Sequence, residues 1–319
     1  MSLVLEKLKD LLGEIPEDVS AFRHRMRVHQ GWWRMAVLGE EQGEHPHDKT
    51  KAVCNTLPKA DSKCNFVSGA SYKAFLHTVE ERKKKAPGMF IEKRIRTNLL
   101  SSQPLCFNFF GELKINTKLA ARVMQCWIPD AETVEWVKFE FAPEENYTRD
   151  NSAFDIAISY INADGRRGLL GLECKYTDDF STSGNPNKKE YRQVYEGNRH
   201  IFPLKYDAYF GKKYVQLFRN ELMAQALLGH HEYDIVTTGL FCHHDDGAAL
   251  STAGKFQSMI GDGQNRFKII TYRDFITSLQ QMDLEWKERE WIMNLWVRYC
   301  GVGLSENVFQ SLHQSDGDV

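Results

Sequence analysis

The stretch from Phe154 to Tyr176 (FDIAISYINADGRRGLLGLECKY) constrains the fold more than any other, because it reads as two strands with apolar side chains on both faces. Side chains alternate along a strand, so Phe154, Ile156, Ile158 and Tyr160 take one face and Asp155, Ala157 and Ser159 the other. In the second strand Leu170, Leu172, Cys174 and Tyr176 alternate with Gly171, Glu173 and Lys175. A three-residue loop, Ala163-Asp164-Gly165, with the glycine left-handed, sets Asn162 opposite Arg166 and therefore Asp155 opposite Glu173. Strands that are apolar on one face and nearly so on the other need cover on both sides, which calls for a sheet packed between helices.

The flanking sequence supplies those helices and further strands. Residues 133–142 alternate as a strand, with Val137, Phe139 and Phe141 against Trp136, Lys138 and Glu140. A helix is expected from about Tyr214 to Leu228, with Val215, Phe218, Leu222 and Ala226 inward and Gln216, Arg219 and Asn220 on another face. The apolar run 234–242 reads as a strand, and KIITY followed by RDFITSLQQM reads as a strand leading into a helix. Upstream, Ser71 is the expected N-cap of a helix ending at Pro87-Gly88, a second helix is expected from about Met89 to Leu100, and Pro104 reads as a break before a helix near Lys118 to Trp127. The first 50 residues read as helical, with Leu3, Leu5, Leu8, Leu11 and Leu12 as a stripe. Strands and helices mix without strict alternation, so the class is α/β (α+β), with a mixed central β-sheet flanked by helices. We divide the chain into a helical N-terminal extension, 1–65, and a sheet domain, 66–319.

The formal net charge is only −2, yet the cations cluster. Residues 82–96 hold seven Lys/Arg against one acid, 181–220 hold eight against three, and 22–35 add Arg23, Arg25, Arg27 and Arg34 without an acid. Any one such cluster is commonly a solvated face; three of them favour a polyanionic partner. No apolar run reaches the roughly 20 residues that span a bilayer, and the acidic, amphipathic start resembles no secretory signal, so a cytoplasmic protein with no membrane partner is expected. Seven scattered cysteines without a CxxC pair point to reduced thiols. His243-His244-Asp245-Asp246 reads as a polar loop, His45, His47, Cys54 and Cys64 match no common zinc spacing, Trp32-Trp33 reads as core, and no phosphate-binding GxxxxGK[ST] loop is present.

Opposed carboxylates at Asp155 and Glu173 repel, by up to about 1 kcal/mol when exposed and more when desolvated, so a positive charge belongs between them. Lys175, two residues after Glu173 on the same face, is one source. Two converging carboxylates also make the hard-oxygen site preferred by Mg²⁺ or Mn²⁺. The bland alternative is a surface hairpin with decorative charges, and the apolar surroundings of these three residues count against it.

Phe154-Asp155, followed after seventeen residues by Glu173-Cys174-Lys175, resembles the PD-(D/E)xK nuclease superfamily, with Phe154 where the motif has proline. The stretch NLLSSQPLCFNFFGEL (98–113) is similar to a set of bacterial PD-(D/E)xK-like proteins of poorly defined role, and the similarity spans roughly residues 65 to 230. The resemblance implies a restriction-endonuclease-like core and a metal-dependent endo- or exodeoxyribonuclease. Asp155, Glu173 and the Cys174 backbone carbonyl would hold Mg²⁺ or Mn²⁺, and Lys175 would be the catalytic lysine. Such folds often add an acid from a preceding helix; Glu92 fits, with Glu140 competing. Gln216 and Arg219 on the helix after the ExK strand, and Lys188 and Lys189 before it, are the implied nucleic-acid-binding residues. The implied substrate is DNA, with RNA left open, and a homodimer is possible in such folds. The competing class is a catalytically inactive nucleic-acid-binding or assembly module that keeps the fold.

Overall fold

A computed structural model describes residues 10–45, 51–59, 61–83, 90–150, 152–182, 184–211 and 213–313. The leucines at 3, 5 and 8, His47 and the Pro87-Gly88 pair lie outside these residues. The chain forms two compact units, Met1–Phe109 with Asp283–Val319, and Phe110–Met282. The boundary drawn at 65/66 from the sequence falls inside the first unit.

In the first unit, helix α1 (Ala21–Trp32) starts at Ser20, whose hydroxyl accepts the Arg23 N–H at 3.2 Å. It continues as a π-helical turn, Trp33–Leu38, closed by Gly39 in the left-handed conformation. The basic stretch 22–35 is used internally. Arg23 and Arg27 pair with Asp18 at 3.0 and 2.6 Å, and Arg25 pairs with Glu306. Arg34 is buried and donates to the carbonyls of Leu11, Leu12 and Cys54 at 2.8 to 3.0 Å, the saturation a buried guanidinium requires. Trp33 is core. After a two-strand ribbon, β1 (Gly43–Glu44) and β2 (Ala52–Val53), helix α2 (Gly69–Lys83) begins directly after Ser68. The Ser68 hydroxyl accepts the Ser71 N–H at 3.1 Å, so Ser68, not Ser71, caps this helix. Helix α3 is short, Glu92–Thr97. Helix α4 (Ser102–Ile115) runs through the position where Pro104 was expected to break the chain. Pro104 sits in its first turn, where a missing N–H leaves no carbonyl unpaired.

In the second unit helix α5 (Thr117–Gln125) leads into a five-stranded mixed sheet in the order β3 (Ala131–Phe141), β4 (Phe154–Asn162), β5 (Arg167–Lys175), β6 (Ile235–Cys242), β7 (Phe267–Thr271). The first three strands form an antiparallel meander, and the last three run parallel. The parallel half needs crossovers, and helices supply them. Between β5 and β6 lie α6 (Lys189–Gly197), α7 (Tyr206–Tyr209) and α8 (Val215–Gly229). Between β6 and β7 lie α9 (Gly247–Met259) and α10 (Gly263–Arg266); α11 (Tyr272–Gln280) follows β7.

Both faces of this sheet are covered. Leu240 packs on the α8 side with Phe202, Tyr209, Phe218 and Leu222. Its neighbour Phe241 points the other way, its ring 5.0 Å from Phe110 and 5.7 Å from Phe275. β5, third of five, is buried along all but its first residue. His243 to Asp246 form a turn of polar residues in which both histidine side chains are buried, Asp245 is exposed, and Asp246 caps α9 by accepting the Ala249 N–H. All seven cysteines are free.

Candidate functional site

The turn between β4 and β5 forms as its residues dictate. Gly165 is left-handed at φ 75°, and Asn162 donates its N–H to the Arg166 carbonyl at 3.0 Å. From this closure the register runs from Ile161 opposite Arg167 to Ile156 opposite Leu172. Asp155 and Glu173 are the next positions on the two strands.

At that point the alternation of β4 slips. Phe154 was expected on the Ile156 face, but its ring packs with Ala157, Leu169 and Met223, on the side of α8. It lies over Gly171, where an added Cβ would come within 2.6 Å of it. The absence of a side chain at 171 admits the ring. Across from Asp155, β3 is irregular too, with Glu140 left-handed at φ 49°. The Asp155 carboxylate turns to accept the Cys174 N–H, Oδ2 to N 2.7 Å.

Glu173 projects toward α8 and is 3% exposed. Its Oε1 lies 3.1 Å from Lys175 Nζ and accepts Gln216 Nε2 at 2.5 Å, and its Oε2 accepts Asn220 Nδ2 at 3.1 Å. Gln216 and Asn220 are four residues apart, on one face of α8. Gln216 also accepts the Ser181 N–H at 2.9 Å, which ties the segment after β5 to the same carboxylate. Lys175, 6% exposed, sits 5.5 Å from the Phe180 ring centre, and its carbonyl accepts the buried Tyr272 hydroxyl at 2.5 Å.

The charges act on each other. Burial is the largest cause raising the Asp155 pKa well above the usual carboxylate range; the charges of Glu173 and Glu140 add to it, and Lys175 opposes. For Lys175, burial alone would lower the pKa, but Glu173 and Asp155 outweigh it and the net shift is upward. The site therefore holds an excess of carboxylates around one ammonium, and the oxygens of Asp155 and Glu173 are its hard donors. A divalent cation of the Mg²⁺ type fits that set by charge and by donor chemistry.

The other residues singled out from the sequence separate. Arg219 Nε bonds Asp150 Oδ2 at 2.9 Å and the Tyr191 hydroxyl at 3.1 Å. Lys188 donates to the Arg149 carbonyl and lies over the Tyr191 ring; Lys189 is exposed at the start of α6. Glu92 belongs to the first unit, half-buried at the first position of α3. Arg96, one turn further along α3, bonds the Tyr72 hydroxyl at 3.2 Å and lies over Phe75. Asn220 was seen on the polar face of its helix but not chosen; its spacing of four from Gln216 was the available signal. Tyr272 carried no signal in the sequence.

Among the described residues, no helix is long and apolar enough to cross a membrane. A family model described as the PD-(D/E)XK nuclease superfamily matches residues 17–301, a longer span than the stretch from about 65 to 230 whose sequence carried the resemblance. Comparison with curated proteins and with solved structures returns no match. Members of the matched superfamily generally hydrolyse phosphodiester bonds and typically use divalent metal ions. A match over most of the length, on a mixed sheet with an acid–acid–lysine group at its centre, decides the assignment: this chain belongs to the PD-(D/E)XK nuclease superfamily.

Proposed function

We propose that the protein is a metal-dependent nuclease that hydrolyses phosphodiester bonds in DNA, with Asp155, Glu173 and Lys175 as its catalytic group. The observation that carries this reading is the buried contact of Lys175 with Glu173 at 3.1 Å, beside an Asp155 whose pKa is raised by burial and by the Glu173 charge.

When bound, a divalent ion supplies Lewis acidity at a phosphoryl oxygen and a water of lowered pKa. Asp155 and Glu173 offer the carboxylate oxygens that would hold it, with the Cys174 carbonyl next after Glu173 on β5. Asp155 commits Oδ2 to the Cys174 N–H, which leaves Oδ1 as its ligand atom. Gln216 and Asn220 fix the rotamer of Glu173; with Lys175 also on Oε1, a lone pair on Oε2 remains to share. Lys175, held 3.1 Å from Glu173 Oε1, offers a hydrogen-bond donor toward charge developing on the phosphate.

Glu140 fits the role of the additional acid, because its charge already acts on Asp155. Glu92 is carried by the resemblance alone. Mg²⁺ or Mn²⁺ is the expected ion.

Supercoiled and linear DNA incubated with the protein and Mg²⁺, Mn²⁺ or EDTA tests the proposal. Metal-dependent cleavage that disappears in Glu173→Ala and in Lys175→Ala is expected. DNA binding without cleavage, unchanged by those substitutions, would instead identify a binding module.

A further inference from the structure

Four non-glycine residues among those described have left-handed backbones, and two of them, Glu140 and Arg149, lie on the segments leading into Asp155. A β-carbon makes this conformation costly, so a residue persists there only when its surroundings impose it. Around Arg149 they do. Asn146 accepts the Asp150 N–H at 3.1 Å and donates to the Asp150 carbonyl at 2.8 Å, and the Arg149 N–H is donated to the Asn146 carbonyl at 3.0 Å. Lys188 donates to the Arg149 carbonyl. The Asp150 side chain is buried, bonded by Ser152 N at 2.7 Å and by Arg219 Nε at 2.9 Å. Arg219 adjoins Asn220, the residue that holds Glu173. The loop is thus fastened to the same turn of α8 as the candidate site.

The outcome of this fastening is the position of one cation. Arg219 and Lys188, both expected to meet nucleic acid, each place a donor on the loop itself. The Arg149 side chain is left 77% exposed, with one loose contact to Glu190 at 3.4 Å. An exposed pair of this kind contributes little and exchanges readily for another anion. A guanidinium matches a phosphate with two parallel donors.

We propose that Arg149 is a phosphate-contact residue for the DNA backbone beside the candidate site, and that the clamped left-handed loop exists to present it. This rests on the nuclease reading for its ligand, but its test does not depend on cleavage. Fluorescence anisotropy of a labelled mixed-sequence DNA duplex, titrated with the full-length protein in EDTA across a range of salt, reads the contact directly. Arg149→Ala is expected to weaken binding about fivefold and to lower the salt slope by about one, with Arg149→Lys keeping the salt slope but only part of the affinity. Arg149→Gly separates contact from conformation: it relieves the backbone, so its melting temperature is expected to rise while its DNA affinity falls as in Arg149→Ala. Wild-type affinity in Arg149→Gly would overturn the proposal, as would an unchanged salt slope in Arg149→Ala or a wild-type protein that does not bind the duplex. Failure of the wild type to cleave with metal, alongside a normal Arg149 effect on binding, would overturn only the nuclease reading.

Discussion

Asn220 donates its carboxamide to Glu173 Oε2 at 3.1 Å, one helical turn beyond Gln216, which donates to Oε1. A buried carboxylate gripped on both oxygens cannot rotate, and a metal ligand with a fixed rotamer binds more tightly than a free one. Replacing Asn220 with leucine, of similar size, is expected to weaken Mn²⁺ binding about 10- to 100-fold while the protein stays folded. Isothermal titration with Mn²⁺ in the absence of DNA measures this. Wild-type affinity in that variant would show that the carboxamide only fills space.

The Lys175–Glu173 pair is buried on both sides. Removing one partner strands a charge in a dry site, at a cost of about 3 to 5 kcal/mol. Lys175→Met and Glu173→Gln are each expected to lower the urea midpoint substantially. The double variant should be more stable than the two losses added together, because the stranded charge disappears with its partner. Strict additivity would mean that the two side chains do not interact.

Gly171 admits the ring of Phe154, and an added methyl would come within 2.6 Å of it. Gly171→Ala is therefore expected to destabilise the protein by about 1 to 3 kcal/mol, the usual range for an overpacked core. Because Phe154 precedes Asp155, the same change should reduce Mn²⁺ affinity. Adding Phe154→Leu should restore part of the stability; thermal melts of the three variants decide.

His29 lies buried in the first unit, with Nε2 donating to the Val297 carbonyl at 3.0 Å and Nδ1 meeting the Ser305 hydroxyl at 2.9 Å. Burial pushes its pKa down to about 4. A histidine whose folded pKa lies below its unfolded value contributes stability that is complete above pH 6.5 and is lost as pH falls toward 4. At about 1.4 kcal/mol per pH unit, the loss comes to about 3 kcal/mol. Urea midpoints should fall across that window in the wild type and fall less in His29→Gln. Equal slopes in both proteins would place the acid sensitivity elsewhere.

What the sequence disclosed followed from local rules. The β4–β5 turn and its register were readable because Gly165 supplies the one left-handed residue a three-residue loop needs, and every pairing follows from that closure. The helix at Val215–Gly229 was readable from its apolar spacing. What stayed hidden depends on partners far along the chain. Arg25 looked available to a polyanion because its acid, Glu306, lies 281 residues away. The slip at Phe154 needs Met223 and Gly171 together, and no two-residue period announces it. Pro104 reads as a stop in isolation and as a start once the turn that follows it is helical.

The place of β5 in the sheet also governs how the protein fails on heating. With two strands on one side of it and two on the other, its amides are shielded from solvent until the outer ribbons have peeled away. Deuterium uptake at Glu173 to Lys175 should thus lag behind that of β3 and β7. The strand that carries Glu173 and Lys175 would keep its geometry through partial melting and lose it only when the whole unit comes apart.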